Sequence, residues 1–289
     1  MTASLSDRRS RTMAIITIYQ GASGSGEELA DAVAQSLGCG CISREVLVEA
    51  SLRYNIPEAK LNDIVEKGSN WWDRFMENLQ PYRIALQAAF CQIAVTAGQP
   101  HLVYHGHLGH ELLPGFSHVL KVLLTAPLDK RVEQVKARQG LGEAAARRFI
   151  EETDKARSRR LMAMFGVDWR DPSRFDLVVN LGRMSVGAAK HLICEAVRLP
   201  DYQMSPASKQ AFEDFALASR VKAVLAMSAD MPRTRLDVKA SAGTVAVSGS
   251  VPSWMSEQAV VSKIRQIPGV KDVNADIINL PDLGVAEWP

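Results

Sequence analysis

The segment that most constrains the fold is residues 14–37. Ala14-Ile-Ile-Thr-Ile-Tyr19 is a short β-branched run, the composition of a strand buried on both faces of a parallel sheet. Gly21-Ala-Ser-Gly-Ser-Gly26 follows almost at once, and Leu29, Ala30, Val33, Ala34 and Leu37 then recur at helical spacing until Gly38 stops the helix. A strand, a glycine turn and a helix in that order bring the free backbone N–H groups of a helix N-terminus, and the positive end of its dipole, to one anion-sized spot. The turn has the spacing of the phosphate loop G-x-x-x-x-G-K-[ST], but Glu27 and Glu28 stand where the lysine and the hydroxyl belong. A lysine there would reach terminal phosphates and a hydroxyl would hold magnesium, whereas a carboxylate repels phosphate unless a metal or an arginine intervenes. These residues leave two readings open: an anion-binding turn made by Gly21, Ser23, Gly24, Ser25 and Gly26, or a purely structural glycine turn.

The same alternation continues downstream. Residues 44–98 are mostly helical in pattern, with Trp71, Trp72 and Phe75 as an aromatic cluster and a long apolar helix over 84–97. Residues 100–105 and 118–125 read as buried strands, 175–180 as a further one, with helices over 128–139, 144–165 and 185–199. Short buried strands alternating with helices predict an α/β domain over 13–199, a parallel sheet of β-α units with right-handed crossovers, flanked by helices. A length of 289 residues suits two domains. The polar, proline-bearing stretch 200–213 is the expected linker. After it the rhythm changes to helix (211–226), alternating strands (235–240 and 243–251), helix (252–267) and strand (269–277), a small α+β (αββαβ) unit.

Composition narrows the function. With 34 basic and 32 acidic residues the net charge is +2, so no global field favours a nucleic-acid partner and any cationic site must be local. Cys39, Cys41, Cys91 and Cys194 have no C-x-x-C spacing and read as free thiols. Residues 1–12 read as a flexible leader, because the apolar run after Arg8, Arg9 and Arg11 is too short for a signal peptide. With no run long enough to span a membrane, the expectation is a cytoplasmic protein.

One local cationic site stands out on the helix 144–165: Lys155, Arg157, Arg159 and Arg160. Four-residue spacing puts Lys155 and Arg159 on one face, and three-residue spacing puts Arg157 and Arg160 on a neighbouring one. Guanidinium forks suit a polyphosphate. The interleaved Glu151, Glu152 and Asp154 equally suit a solvated helix face, and both readings stay open here.

The chain over about 14–198 resembles the cytidylate kinase-like family of P-loop nucleoside-monophosphate kinases. The resemblance rests on Ile16-Thr-Ile with Gly24-Ser-Gly26-Glu-Glu-Leu-Ala, on Ser43-Arg44-Glu45-Val-Leu, on Ala126-Pro127-Leu-Asp-Lys-Arg131-Val, and on Phe165-Gly-Val-Asp168-Trp169-Arg-Asp171-Pro172 leading into Phe175-Asp176-Leu-Val-Val-Asn180. It implies transfer of the ATP γ-phosphoryl group, with Mg2+, to a nucleoside monophosphate. In that scheme Gly21 to Gly26 hold ATP, Arg44 contacts the acceptor phosphate, and Lys155, Arg157 and Arg160 close as a lid. The family typically has an arginine where this chain has Glu27, D-R-E where it has Ser43-Arg44-Glu45, and a glycine-arginine-glycine turn where it has His105-Gly-His-Leu-Gly-His110. The three histidines lack a matching acidic cluster, so no metal site is expected there.

Residues 214–280 resemble a BON domain through Leu236-Asp-Val238, Gly243-Thr-Val-Ala-Val-Ser-Gly249 and Pro268-Gly269-Val270. That likeness implies a binding or regulatory module for a ligand, membrane or protein partner, with residues 281–289 as a tail. Two functions follow: a phosphotransferase, or a non-catalytic nucleotide sensor on a degenerate kinase fold, favoured by Glu27 and Ser43.

Overall fold

The computed structural model describes residues 13–22, 24–65, 79–231 and 235–280. The expectations for residues 1–12, Ser23, the Trp71–Trp72–Phe75 cluster and residues 281–289 lie outside them. The first unit is a five-stranded sheet in the order β2-β3-β1-β4-β5, every neighbouring pair parallel. Its strands are β1 (Ala14–Gln20), β2 (Gly40–Ile42), β3 (His101–His105), β4 (Val119–Thr125) and β5 (Leu177–Asn180). β1 is central, with Ile15 opposite Leu102 on one side and Val119 on the other.

A strand buried on both faces sorts its side chains by alternation. Ala14, Ile16 and Ile18 of β1 join Leu29, Ala30 and Val33 of α1 (Gly26–Leu37) and Ala189 and Ile193 of α8 (Val186–Ala196). Ile15 and Tyr19 face the opposite layer, made by α2 (Glu45–Tyr54), α3 (Glu58–Val65), α4 (Gln80–Thr96) and the C-terminal half of α7 (Glu143–Phe165). β2 was not expected from sequence. Its three residues hold Gly40 and Cys41, which carry no strand composition, and their place at the sheet edge is set by pairing with β3. Likewise the glycine-bearing stretch after β3 contains a single helical turn, α5 (Gly109–Leu112). A helical hairpin of α6 (Leu128–Gln139) and α7 encloses its own cluster of Val132, Val135, Ala146 and Ile150, to which Ala22 of the glycine turn also belongs.

The second unit is α9 (Pro206–Met227), β6 (Arg235–Ser241), β7 (Thr244–Pro252), α10 (Glu257–Arg265) and β8 (Asp272–Leu280), the expected αββαβ order. β6 and β7 are antiparallel, and β8 lies parallel to β7 on its other side. The helices cover one face, with Val238, Val245, Val247, Val251, Val273 and Ile277 packed under Val221, Val260 and Ile264. Residues 206–213, assigned to the linker from their polarity, are helical instead. Pro206 supplies the first helical residue and Ser205 with Ser208 forms a reciprocal cap, so the polar residues mark a helix start.

Gly249 fixes the β6–β7 pairing. It sits at φ 134°, and a Cβ there would stand 2.1 Å from the Arg235 carbonyl oxygen, a backbone atom with no freedom to yield. Gly249→Ala is therefore expected to destabilise the second unit by about 3 kcal/mol or more, combining forbidden backbone and overpacking. Denaturant unfolding of the full chain checks this, and an unchanged midpoint would refute it.

Candidate functional site

The glycine turn lies at the C-terminal end of the central strand, where the crevices of open α/β sheets bind their ligands. Helix α1 starts at Gly26, and the N–H groups of its first turn have no carbonyl partner within the helix. Glu27 and Glu28 occupy this first turn, where carboxylates are favoured by the helix dipole; that accounts structurally for two residues a phosphate loop would not choose. A Cβ on Gly24 would lie 2.5 Å, and one on Gly26 2.4 Å, from the Gln20 side-chain oxygen. The glycines thus let the Gln20 carboxamide tuck into the crook of the turn.

Two cavities flank the turn. One, of about 210 Å³, is bounded by Glu27, by Arg44 and Val46 around the start of α2, by Leu86 of α4, and by Tyr104 and Gly106 at the end of β3. The other, of about 250 Å³, lies between Gln20, Gly21, Thr125, Arg131, Trp169 and Arg170. The arrangement gives one compartment on each side of a helix N-terminus, as a reaction between two bound molecules requires.

Arg44, which the resemblance assigns to the acceptor phosphate, lines the first cavity together with Glu27. Its guanidinium pairs with Glu58 at 3.0 Å, with both side chains substantially exposed. An exposed pair of that kind contributes little and leaves the arginine able to turn inward.

Helix α7 brings a subset of its charged residues to the turn. Arg157 donates from Nη1 to the Gln20 carbonyl at 3.1 Å. Arg160 is only 4% exposed and near enough to the Tyr19 ring to influence its hydroxyl. Lys155, about 100° further round the helix from Asp154, is exposed. The basic residues are thus not one cluster: Arg157 and Arg160 face inward and Lys155 faces outward. Ser23 lies outside the described residues, and Gly21, Gly24, Ser25 and Gly26 form the turn as expected.

Several residues here were missed by sequence reasoning. Asp154 accepts from the Ala22 N–H at 2.6 Å, and Arg131 donates to the Ala22 carbonyl from Nε at 3.0 Å and Nη2 at 2.8 Å. In the sequence Asp154 is one of several acidic residues interleaved with the basic ones of its helix, and Arg131 is part of the Ala126–Val132 stretch that carries the family resemblance. The remaining signal, a carboxylate three residues ahead of an arginine, was present in Asp154 and Arg157. Behind the turn, Trp169 Nε1 donates to Ser158 Oγ at 2.8 Å, pinning the 168–175 segment to α7. Arg174 binds Glu111 through Nε at 2.9 Å and Nη2 at 2.6 Å, a fork on a carboxylate that is only 8% exposed. Tyr19, His110, Trp169 and Phe175 cluster in the space between, with contacting ring centroids 4.9 to 6.2 Å apart and only His110 and Phe175 stacked. Burial raises the Tyr19 hydroxyl well above its ordinary range, so it stays protonated.

A magnesium ion takes one or two carboxylates and completes its shell with water and phosphate oxygens. Glu27, in the lining of the first cavity, is a carboxylate that would suit such an ion. Among the described residues no group of three or more His, Cys, Asp or Glu side chains could hold a metal by itself, so the remaining oxygens would come from nucleotide and water. The four cysteines are free, and burial pushes the Cys39 thiol up to about 11 and the Cys41 and Cys91 thiols up to about 12, so they stay protonated at neutral pH. No helix among the described residues is long and apolar enough to cross a membrane.

A model of the cytidylate kinase-like family matches residues 15–183, and a BON-domain model matches residues 213–279. The cytidylate kinase of Methanopyrus kandleri is 40% identical over 80 residues, covering 28% of this chain and 41% of that protein. The cytidylate kinase of Sulfolobus acidocaldarius is 26% identical over 165 residues, covering 56% of this chain and 83% of that protein. With most of its other curated relatives the chain shares about half of their length or less. Among solved structures, an uncharacterized protein from Eubacterium ventriosum superposes with a TM-score of 0.48 at 17% identity, over 64% of this chain and 97% of that one. Shikimate kinase from Bacteroides thetaiotaomicron superposes with a TM-score of 0.40 at 11% identity, over 64% and 99%.

Proposed function

The chain belongs to the cytidylate kinase-like family, and on that premise we propose that it transfers the γ-phosphoryl group of ATP, with Mg2+, to a nucleoside monophosphate or a related small phosphorylated acceptor. The observation that carries this reading is Arg157 of α7 bonded to Gln20, the residue that leads into a glycine turn with a cavity beside each end. In this scheme the backbone from Gly21 to Gly26 and the first turn of α1 hold the phosphates. Arg44 takes the acceptor phosphate, and Glu27 supplies the protein's oxygen to the metal. Magnesium, when bound, would neutralise phosphate charge beside Glu27. Arg157 and Arg160 stabilise the charge that develops on the moving group, while Lys155, at the outer rim, contributes field alone. Phosphoryl transfer asks the protein for alignment and charge, and the chain's own residues offer both. The BON unit then serves as a binding or regulatory module for a ligand, membrane or protein partner.

Calorimetry of the full chain with MgATP and CMP, followed by a phosphate-transfer assay, tests the proposal. Arg157→Ala is expected to lower kcat by roughly 100-fold while changing ATP affinity much less, because its charge acts mainly in the transition state. An unchanged kcat removes Arg157 from the mechanism. The second reading, a nucleotide sensor without turnover, is favoured by Gln20 lying in the crook of the turn and by Glu27 in place of a cation. Tight nucleotide binding with no transfer to any monophosphate would establish it.

A further inference from the structure

We propose that Asp154 and Arg131 form a clasp that holds Ala22, the second residue of the glycine turn, through both its backbone groups, and that they are positioning residues for the phosphates this turn receives. The proposal rests on the kinase reading above. Both hydrogen-bonding groups of Ala22 are taken by this pair: its N–H by Asp154 Oδ1 at 2.6 Å, its carbonyl by the Arg131 fork at 3.0 and 2.8 Å. The two side chains also bind one another, Arg131 Nη2 to Asp154 Oδ2 at 2.6 Å, and both are largely shielded from water. The ring closes on Gly21, where a Cβ would meet Arg131 at 3.1 Å, Asp154 at 3.1 Å and Trp169 at 3.3 Å. The second glycine-turn residue is therefore fixed from outside, by one residue of α6 and one of α7. The same α7 turn carries Arg157, bonded to the Gln20 carbonyl, so the clasp also sets where that arginine stands relative to the turn.

The sign of the effect separates this role from a bystander role. A carboxylate merely close to a phosphate site weakens anion binding, so its removal should tighten ATP binding. A clasp does the opposite, because a loosened turn must be ordered at the moment of binding. In the full-length protein, Asp154→Ala is expected to raise the MgATP dissociation constant by roughly tenfold and to accelerate hydrogen exchange at the Ala22 amide, with protection in β1 unchanged. Arg131→Lys keeps the charge and loses the fork, and is expected to weaken MgATP to a similar extent, whereas the acceptor KM stays as in the parent. Asp154→Asn, which leaves an oxygen for the Ala22 N–H, serves as the second variant should the alanine form not fold, with a smaller loss in the same direction. Unchanged or tighter MgATP binding in these variants, beside a parent that binds, overturns the clasp and leaves the kinase reading intact. A parent chain that binds no MgATP sinks the kinase reading, and the positioning role with it.

Discussion

Between pH 6.5 and 4.5 the folded chain is expected to lose on the order of 5 kcal/mol of stability through His110 and His118 alone. Burial, with Lys121, Arg174 and His107 adding to it, holds the His110 imidazole down at about 3, and burial holds His118 down at about 4. Glu111 lies 3.8 Å from His110 and would favour the charged ring, but its carboxylate is already taken by the Arg174 fork. Above the ordinary value of about 6.5 both folded and unfolded chains carry these rings neutral, and they have no effect on stability. As the pH falls below it, the unfolded chain binds protons that the folded chain refuses, and each histidine subtracts about 1.4 kcal/mol per pH unit. The loss continues until the folded values are reached. Neither nitrogen of either ring has a hydrogen-bond partner among the described residues, so phenylalanine can replace both rings without orphaning a donor. His110→Phe with His118→Phe should thus keep stability near the parent at pH 7 and flatten the acid limb, as read by urea titrations at several pH values. An acid limb as steep in the double variant as in the parent would sink the assignment.

The framework around those histidines was legible in the sequence because it obeys local rules. β-branched runs marked β1, β3, β4 and β5, and helical periodicity marked α1, α6, α7 and α8, each within a few residues of its place. The glycine turn was legible for the same reason, since its spacing and its position between strand and helix are both sequence properties. What was not legible depended on partners far away in the chain. β2 has three residues and no strand composition, and exists through β3. Asp154 sits 132 residues from Ala22, so a carboxylate among glutamates on a charged helix looked like surface. Of the three histidines from His105 to His110, only His110 is buried, packed against Tyr19 and Phe175, which alternation cannot reveal. Lys155 and Arg157 were equal candidates until the helix had a fixed rotation against the turn.

The boundary between the two units is where sequence and structure part most, and it carries the other large effect. The polar, proline-bearing stretch 200–213 suggested a linker between two domains, yet α9 is a shared element. One side of it, Phe212, Ala216 and Ala223, belongs to the core containing Tyr54, Leu86 and Phe90, while Leu217, Val221 and Leu225 belong to the core of the β6–β8 sheet. Phe212 is 2% exposed, with its ring 5.3 Å from Phe116 and 5.4 Å from His118. Arg220 adds a polar tie on the same helix, donating to the Gln92 side chain of α4 and, at 2.7 Å, to the Pro268 carbonyl ahead of β8. Since α4 also carries Leu86 into the wall of the first cavity, the helix that opens the BON unit buttresses the floor of the site. Phe212→Ala is expected to cost about 3–5 kcal/mol, felt as a lowered unfolding midpoint of the kinase-like unit even though the residue lies beyond its matched segment. A chain cut after residue 199 loses that whole covering face, and is expected to expose the apolar side of α4 and to aggregate or unfold without a sharp transition. A soluble residue 1–199 fragment that melts cooperatively at the full chain's temperature would show the helix to be an accessory, and the two units to be independent after all.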